Sequence, residues 1–543
     1  MRRLAVVLIA AAGAATGLWH WVASGTPVTL PDAVAGLPCA SYAPYHRPGQ
    51  SPFIKGTVIS RSQIDADLAR LKRDFACVRI YSVDQGLSEV PRLARKHGLR
   101  VLLGLWIGAD AADNERELAR GIAVLKRDGD AIDAVIVGNE VLLRRDQSAA
   151  TLEGYLRRVR AATPVPVTYA DVWEFWLQNR ELAGAVSFVT VHILPFWEDH
   201  PVGIGQAVDH VARVHAAVVG AFPGRKILVG ETGWPSAGRQ RGPALPSLVN
   251  QAHFVRGFAN VAQERGIAYN IVEAFDQPWK RALEGTVGGH WGVFAADGQA
   301  KFPLTGAVAE NAHWLRGVKA AGFAALAFCL VALLGRVRIT GVGLLLLAAA
   351  GAGTGASLWQ ALLDLRAAGE NALQMAVGGL FLLAALLAAY SAARALADWL
   401  AVGTVAAPAP IGALARWFTT NVTDYTPLER RLGLLRLILL AGASAVSLLL
   451  VADPRYRGFP AAAFIAPAIG YALLQISAFG GKHTDDAPEE RALAWIALLC
   501  VPAIVLQEGL ANGQALAWSA TSTLFAVTLL IRRGARPASA APA

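Results

Sequence analysis

Two glutamates in the first half of the chain each follow a short apolar run of the same pattern. Glu140 ends Val-Ile-Val-Gly-Asn-Glu, and Glu231 ends Ile-Leu-Val-Gly-Glu. Glycoside hydrolysis needs such a pair, because one acid protonates the leaving oxygen while a second carboxylate acts from the opposite side. The glycine in each run permits close approach of backbone or ligand, and Asn139 can donate a hydrogen bond to a sugar hydroxyl. Either glutamate alone would fit a surface loop, whereas the pair favours catalysis.

Short β-rich runs alternate with amphipathic helical patterns along this half of the chain. Strand–helix alternation over roughly 280 residues predicts a (β/α)8 TIM barrel. A doubly wound sheet is the rival fold, but it would usually show a glycine-rich turn after its first strand, where this chain has Tyr42-Ala-Pro-Tyr. The eight runs are Cys39–Tyr42, Cys77–Tyr81, Arg100–Trp106, Ala134–Glu140, Pro166–Tyr169, Val186–Ile193, Lys226–Glu231 and Ala268–Ala274.

Barrel enzymes carry their chemistry at the C-terminal ends of the strands, which is where the polar side chains of these runs cluster. His192 either orients a carboxylate or is an ordinary hydrogen-bonded histidine. Glu273 and Lys280 form an ion pair beside Glu231 or contact sugar hydroxyls. Aromatic rings pack against apolar sugar faces, and many aromatic residues lie at or just after the ends of the predicted strands. About half of these aromatic residues, especially Trp106 and Trp176, are expected to fill the core instead. The expected substrate-binding residues are Tyr42, Tyr81, Asn139, His192, Trp234, Glu273, Trp279 and Lys280.

Five sequence motifs in this region resemble those of glycoside hydrolase family 17, which contains plant and fungal β-1,3-glucanases and fungal glucanosyltransferases. The resemblance covers about residues 37–315 and implies a retaining mechanism, with Glu140 as acid/base and Glu231 as nucleophile. It gives no account of the apolar second half of the chain. The motifs are Arg79-Ile-Tyr-Ser82, Val137-Gly-Asn-Glu-Val141, Gly230-Glu-Thr-Gly-Trp-Pro-Ser236, Glu273-Ala-Phe-Asp-Gln-Pro-Trp-Lys280 and His290-Trp-Gly-Val-Phe294.

The N-terminus has the pattern of an export signal. Met1-Arg2-Arg3 precedes an uncharged stretch from Leu4 to Ser24, and a charged start before an apolar stretch directs export. The length of the stretch, with Trp19 and Trp21 near its end, favours an uncleaved anchor. We expect residues 1–25 to form this signal anchor and residues 26–316 to form a barrel outside the cytoplasm.

Long apolar runs dominate from about residue 318 onward. About seven of them are candidate membrane spans, since a helix needs about 20 apolar residues to cross a bilayer. They predict an all-α polytopic transmembrane domain over residues 317–533, followed by a disordered cytoplasmic tail at 534–543. The candidate spans lie near residues 320–335, 339–363, 371–393, 432–452, 458–481, 492–507 and 509–531.

Arginines beside these runs indicate an orientation. With the anchor, about eight crossings return the C-terminus to the cytoplasm, and the excess of positive charge expected there is supplied by Arg532 and Arg533, with Arg336 and the connector 394–431 on the same side. The uncharged stretch Trp399–Ala415 is alternatively a ninth span, a re-entrant piece or an interfacial segment. In a two-membrane bacterium this predicts a multi-pass inner-membrane protein whose catalytic domain faces the periplasm.

The charge and cysteine content of the chain indicate which kinds of partner and bound group are expected. The chain has 543 residues and a net charge of +10, yet its positive charges are spread over helices or flank apolar runs, so nucleic-acid binding is not expected. The sequence contains no His/Cys cluster that indicates a metal, and no cofactor is expected. Export would permit a disulfide between Cys39 and Cys77, but neighbouring parallel strands seldom offer the geometry, which disfavours one.

Three hypotheses follow from these patterns. The favoured one is an exported enzyme that remodels or branches β-1,3-linked glucan by hydrolysis, glucanosyl transfer or both. Its partners would be a β-glucan oligo- or polysaccharide, membrane lipid and a glucan synthase or export protein. The alternatives are a non-catalytic glucan-binding module of a membrane export or synthesis assembly, and a cytoplasm-facing glucan synthase subunit, against which the N-terminal charge order speaks.

Overall fold

The computed structural model describes residues 2–33, 36–335, 339–421, 425–477 and 487–530. The chain divides into two compact units, one of Pro27–Val308 and one of Met1–Thr26 with Ala309–Ala543. It begins with helix α1 (Arg2–Ser24). The predictions made for Arg336, for Arg532 and Arg533 and for the tail at 534–543 concern residues outside the described ranges.

Eight parallel strands close into a barrel in the unit Pro27–Val308, which confirms the predicted barrel fold. Each strand pairs with its neighbour in sequence, and the ring closes where Ala40 of the first strand pairs with Ile271 of the last. The C-terminal ends of all eight strands therefore meet at one mouth. The strands are β1 (Leu37–Ser41), β2 (Phe75–Arg79), β3 (Arg100–Leu105), β4 (Ile132–Asn139), β5 (Val167–Val172), β6 (Val189–His192), β7 (Ile227–Thr232) and β8 (Ala268–Ile271).

Helices connect the strands. Ser60, Asp110, Ser148 and Ser247 each cap a helix, because their side chains accept a hydrogen bond from the backbone N–H three residues on. The last of these capped helices ends at Gly266, whose φ of +65° suits a glycine. The helices are α2 (Arg61–Leu71), α3 (Val90–Lys96), α4 (Ala111–Asp128), α5 (Ala149–Ala162), α6 (Trp173–Gln178), α7 (Ile204–Ala221), α8 (Leu248–Arg265) and α9 (Arg281–Gly288).

The strands bury residues on both faces. Ala134 and Ile136 of β4 belong to a small apolar cluster with Cys39, Leu102 and Ala170. The residues that alternate with them along the strands belong to a much larger cluster that includes helix residues. Because side chains alternate across a strand, the small cluster lies on the opposite strand face from the helices and fills the barrel interior.

Cys39 and Cys77 form a disulfide, contrary to the expectation from parallel strands. The two residues are direct partners in the register of β1 and β2, and their Cα atoms are 4.5 Å apart. That separation lies within the range that a disulfide spans. The general rule failed here because it concerns neighbouring strands on average, whereas this register puts the two cysteines side by side.

The second unit is helical. Besides α1, its described helices are α10 (Leu315–Leu334), α11 (Gly341–Ala368), α12 (Ala372–Val402), α13 (Ile411–Thr420), α14 (Pro427–Ala452), α15 (Ala461–Ser477), α16 (Pro488–Glu508) and α17 (Gly513–Leu530). By length and composition, five described helices are long and apolar enough to cross a membrane: α1, α10, α11, α12 and α14. Helix α15 is apolar but shorter, and α16 begins with charged residues. The number that meets these criteria is smaller than the eight crossings expected.

The stretch Trp399–Ala415 is not one continuous helix. Helix α12 continues to Val402, beyond the expected end at residue 393, and α13 begins only at Ile411. Helix α13 has 10 residues, about 15 Å of length, which is half of the roughly 30 Å hydrocarbon core. A ninth span formed by a single helix is therefore not what these residues build.

Candidate active site

Glu231 lies on β7 at the mouth of the barrel and is 8% exposed. The Tyr81 hydroxyl donates to its Oε1 at 2.7 Å, and Nη1 of Arg79 is 3.2 Å from the same oxygen. The preceding Gly230 is needed for this packing, because a Cβ there would lie 2.5 Å from the Thr190 methyl group. The glycine in the sequence pattern thus makes room for the groups that surround the carboxylate.

Glu140 follows the end of β4 in an unusual backbone conformation. Its φ is +53°, and Gly138 two residues earlier has a φ of +84°. A non-glycine residue in this left-handed region is uncommon and concentrates at functional sites. The bend is held by main-chain bonds, since the N–H of Glu140 donates to the Ala170 carbonyl at 2.8 Å and that of Arg144 donates to the Glu140 carbonyl at 2.9 Å.

His192 lies between the two carboxylates. Its Nδ1 is 2.8 Å from Oε1 of Glu140, and its Nε2 is 3.3 Å from Nη1 of Arg79 and 3.7 Å from Oε1 of Glu231. Because a carboxylate oxygen accepts, Nδ1 is the donor of the bond to Glu140. One oxygen of Glu140 and one of Glu231 lie within 4.8 Å of each other. Of the two interpretations of His192, the structure has the carboxylate contact.

Arg79 joins these groups and was not among the predicted site residues. It is fully buried on β2, and it donates to the Gly230 carbonyl at 2.7 Å and to Oδ1 of Asn139 at 2.5 Å. Because the carbonyl of Asn139 is engaged, its N–H groups are the donors that remain for a sugar hydroxyl. The available signal was an arginine inside the otherwise apolar run Cys-Val-Arg-Ile-Tyr, since a charge seldom sits within a buried strand without a partner.

The surroundings of Glu231 favour its ionised form. Burial alone would raise the pKa of this carboxyl, but His192, Arg79 and the Tyr81 hydroxyl outweigh burial and lower it. Burial together with the Glu231 charge raises the pKa of Tyr81 well above its ordinary value, so the phenol keeps its proton and donates. A nucleophilic carboxylate needs this ionised state.

Glu273 and Lys280 form the ion pair that was one of the two expected arrangements. Nζ of Lys280 is 2.9 Å from Oε2 and 3.1 Å from Oε1 of the fully buried Glu273. Burial raises the pKa of Glu273 to about 7, although Lys280 opposes the shift. Burial by itself lowers the pKa of Lys280, and the charges of Glu273 and Glu284 overcome this and raise it. The Lys280 charge also lowers the pKa of Glu231.

Three aromatic assignments need correction. Tyr42 and Trp234, expected to bind substrate, are both 0% exposed. The Tyr42 hydroxyl donates to Oδ2 of Asp67 at 2.9 Å, and Nε1 of Trp234 donates to the Leu245 carbonyl at 3.0 Å. Trp106, expected to fill core, is 38% exposed, with the Arg144 guanidinium 4.2 Å from its ring centre. Trp279 is half-buried, and Trp176 is buried as expected. Position after a strand does not decide whether a ring faces the cleft.

Glu140, His192 and Glu231 also offer three ligand atoms that lie within 4.8 Å of one another, a spacing that a metal ion could use. The Arg79 guanidinium, however, lies 3.2 Å from Oε1 of Glu231. The guanidinium therefore already supplies positive charge at the position where a metal cation would bind. These residues fit a site that binds a sugar better than a site that binds a metal ion.

The comparisons with known proteins concern the barrel. Residues 39–292 match the family described as "BtgE/BtgC glycoside hydrolase domain". A "Probable beta-glucosidase btgE" of Neosartorya fischeri is 28% identical over 273 residues, which are 48% of this chain and 46% of that protein. The "Glucan 1,3-beta-glucosidase" of Candida albicans is 26% identical over 271 residues, 46% of this chain and 88% of that protein.

Among solved structures, the glycoside hydrolase family 17 β-1,3-glucanosyltransferase from Rhizomucor miehei is 25% identical, with a TM-score of 0.44 over 49% of this chain and 97% of that one. The chain thus spans about half the length of the Neosartorya relative. The family match lies within the unit Pro27–Val308, and the helical unit lies outside it.

Proposed function

We propose that this protein is a retaining glycosidase of the family 17 kind that acts on β-1,3-linked glucan and transfers glucanosyl units as well as hydrolysing them. The observation that carries the proposal is the approach of Glu140 and Glu231, with an oxygen of each within 4.8 Å of the other. Retaining enzymes hold their carboxyl groups about 5–5.5 Å apart, whereas inverting enzymes leave roughly 6.5–9.5 Å for a water. The similarity to the Candida glucan 1,3-β-glucosidase supports the substrate class.

In the first step an oxygen of Glu231 attacks the anomeric carbon, and Glu140 gives its proton to the departing glycosidic oxygen. The C–O bond to the leaving sugar breaks as an ester bond to Glu231 forms. Arg79 and Tyr81 hold the attacking carboxylate in its ionised form. The N–H of His192 binds one oxygen of Glu140, which leaves the second oxygen to carry the proton.

In the second step Glu140 takes a proton from the incoming acceptor, whose oxygen displaces Glu231 from the anomeric carbon. Water as acceptor gives hydrolysis, and a sugar hydroxyl gives a longer or branched glucan. An acceptor sugar that is held beside the site has a higher effective concentration there than water has. Trp106 and Trp279 present partly exposed aromatic rings at the mouth and support transfer in this way.

Time-resolved mass spectrometry of the full-length protein with a defined linear β-1,3-gluco-oligosaccharide tests the proposal. We expect shorter products together with products longer than the substrate, all of retained anomeric configuration by NMR. Shorter products alone would identify a plain hydrolase, and inverted anomers would overturn the retaining mechanism. Binding of the oligosaccharide without any turnover would favour the glucan-binding module of an export or synthesis assembly.

We also propose that the barrel works outside the cytoplasmic membrane and that the helical unit is embedded in it, so that lipid and a glucan synthase or export protein are its partners. Three observations support this. Helix α1 is apolar and follows Arg2 and Arg3, as in a signal anchor. The Cys39–Cys77 disulfide is typical of an oxidising compartment. Among the residues that the structure describes, five helices have the length and apolarity of membrane spans.

Reporter fusions in a two-membrane bacterium test this location. An alkaline phosphatase, active only outside the cytoplasm, is expected to work when inserted at Glu310, while a fluorescent protein at Ala543 is expected to fold in the cytoplasm. Inactive phosphatase at Glu310 would place the barrel inside. If the phosphatase is active at Glu310 but the fluorescent protein at Ala543 does not fluoresce, the barrel lies outside the cytoplasm and the chain crosses the membrane an odd number of times.

A further inference from the structure

Phe53 is a large apolar residue that stands in solvent at the mouth of the barrel. It lies in the loop between β1, which ends at Ser41, and α2, which begins at Arg61, and its side chain is 68% exposed. Loops that follow barrel strands lie on the face that carries the chemistry.

The ring of Phe53 packs edge-on against Trp279, with 5.5 Å between the ring centres and 70° between the planes. Trp279 follows β8, the strand that pairs with β1. A chain of hydrogen bonds ties the two loops together, from Nε1 of Trp279 to Oε1 of Gln277 at 2.7 Å and from Nε2 of Gln277 to the Ala43 carbonyl at 2.6 Å. The two rings thus form one surface made by neighbouring loops.

This aromatic surface is adjacent to the ion pair beside the carboxylate site. Nζ of Lys280 lies 5.9 Å from the centre of the Trp279 ring and 2.9 Å from Oε2 of Glu273, and its charge lowers the pKa of Glu231. Phe53 itself contacts Trp279 rather than the carboxylates. The surface is therefore placed to meet a part of a bound sugar chain that lies beyond the reacting bond.

The loop around Phe53 is held in place by Gln85, whose backbone carbonyl accepts from the N–H of Ile59 at 2.9 Å. Nε2 of Gln85 donates to the Pro52 carbonyl at 2.9 Å, and its Oε1 accepts from the Tyr45 hydroxyl at 2.5 Å. The N–H of Phe53 donates to Oγ of Ser51 at 3.2 Å. A ring on a fixed backbone loses little freedom when a ligand packs against it, and this is the property of a preformed binding surface.

We propose that Phe53, together with Trp279, forms an aromatic subsite for a glucosyl ring of the β-glucan chain at a position away from the scissile bond. The proposal rests on the proposed function and adds to it a residue, Phe53, that makes the enzyme prefer longer glucan chains. All ring hydrogens of a β-glucosyl unit are axial, which gives it apolar faces that pack on aromatic rings, while its equatorial hydroxyls remain in water.

Chain-length kinetics of the full-length protein test the subsite. Linear β-1,3-gluco-oligosaccharides of increasing length are compared between the wild type, Phe53→Ala and Phe53→Tyr. We expect wild-type kcat/KM to rise at the length that reaches Phe53, and Phe53→Ala to lose this rise by about tenfold, mainly in KM, which corresponds to roughly 1.4 kcal/mol. The shortest cleaved substrate should be turned over equally by both, and Phe53→Tyr should keep the rise.

Val58→Ala is the matched control, because Val58 is an apolar residue of the same loop, 71% exposed, and is expected to leave the length profile unchanged. An equal fall at every length in Phe53→Ala would indicate a structural role, and an unchanged profile would show that no sugar packs there; either result overturns the subsite. A wild type without turnover at any length would overturn the proposed function, and the subsite with it.

Discussion

The two units of this protein bury charge in opposite ways. The barrel gathers buried or half-buried charged groups at one mouth, where Arg79 and His192 contact Glu231. The Glu273–Lys280 ion pair acts on Glu231 there through the charge of Lys280. In the described part of the helical unit, Arg436 and Glu490 form a buried ion pair that joins α14 to α16. The outer faces differ too, since the helical unit exposes apolar residues such as Leu334 at 80%.

This difference indicates that the buried charges of the barrel serve a reaction, whereas those of the helical unit serve packing between helices. Taking charges out of water is expensive, so a cluster of them is retained where it does something that apolar residues cannot. At the barrel mouth the charges of His192, Arg79 and Lys280 favour the ionised form of Glu231, which is preorganisation for a reaction. In the helical unit one pair joins two helices, and apolar side chains outside with polar ones inside suit a lipid environment. The comparison predicts that turnover depends on the first set and not on the second.

The largest effect is expected from the carboxylates. Glu231→Gln and Glu140→Gln should each lower kcat at least about 1,000-fold, because one removes the proposed nucleophile and the other the proposed acid. Circular dichroism and the melting temperature should stay close to those of the wild type. Glu153→Gln, on the surface of α5, is the matched control and should keep full activity. Turnover near the wild-type rate by a folded Glu231→Gln protein would remove the basis of the comparison.

Arg79→Met should lower kcat about 100-fold. The change removes a buried charge from Glu231 and the bond that orients Asn139. Loss of one partner of a buried pair should also lower the free energy of unfolding by about 3–5 kcal/mol, measurable by denaturant titration. Arg79 lowers the pKa of Glu231, so its loss raises that pKa and moves the acidic limb of the pH–rate profile to higher pH.

Arg79→Lys separates the two roles of the arginine. It keeps the charge, so the acidic limb should move less than in Arg79→Met, while the bond to Asn139 is still lost. Arg157→Met, whose guanidinium pairs with Glu153 on the surface, controls for removal of any arginine. Identical pH profiles for Arg79→Met and the wild type would show that the charge does not act on Glu231.

Tyr81→Phe should have a smaller effect, about tenfold in kcat, since one hydrogen bond to an ionised group is lost. The Tyr81 hydroxyl lowers the pKa of Glu231. Without it the carboxylate takes up its proton at a higher pH, and the acidic limb of kcat/KM moves upward. Tyr155→Phe on α5 is the control. A lower rate with an unmoved acidic limb would mean that the hydroxyl contacts substrate instead of tuning Glu231.

The sequence predicted the frame of this site better than its interior. Strand ends and the Gly-Asn-Glu and Gly-Glu runs predicted the barrel and brought Glu140 and Glu231 to one mouth, because alternation and glycine positions are local signals. Whether an aromatic ring lines a cleft depends on how loops from different strands fold over one another. Tyr42 and Trp234 turned inward and Phe53 outward for that reason, and no local pattern distinguished them.

Two other features depended on register and long-range contact. The Cys39–Cys77 disulfide forms because these residues are direct partners across β1 and β2, a register that composition does not specify. The place of Arg79 between Gly230, Asn139 and His192 involves residues up to 151 positions away. Its unusual position in an apolar strand was visible, but its partners were not.

The smallest effect on turnover is expected from the helical unit. Arg436→Met should leave kcat and KM on a β-1,3-gluco-oligosaccharide unchanged, because the barrel holds its own carboxylates and the groups around them.

The same change should lower the stability of the full-length protein in detergent by about 3 kcal/mol, since it leaves the carboxylate of Glu490 buried without its partner. The double variant Arg436→Met/Glu490→Gln removes both charges and should recover part of this loss. Turnover and thermal unfolding are measured on the same preparations, with Arg457→Met, whose partner Asp453 is a surface group, as control. A large fall in kcat for Arg436→Met with an intact barrel would show that the helical unit takes part in the reaction. Its ion pair would then belong with the charges of the barrel mouth, and the division of labour between the two units would have to be abandoned.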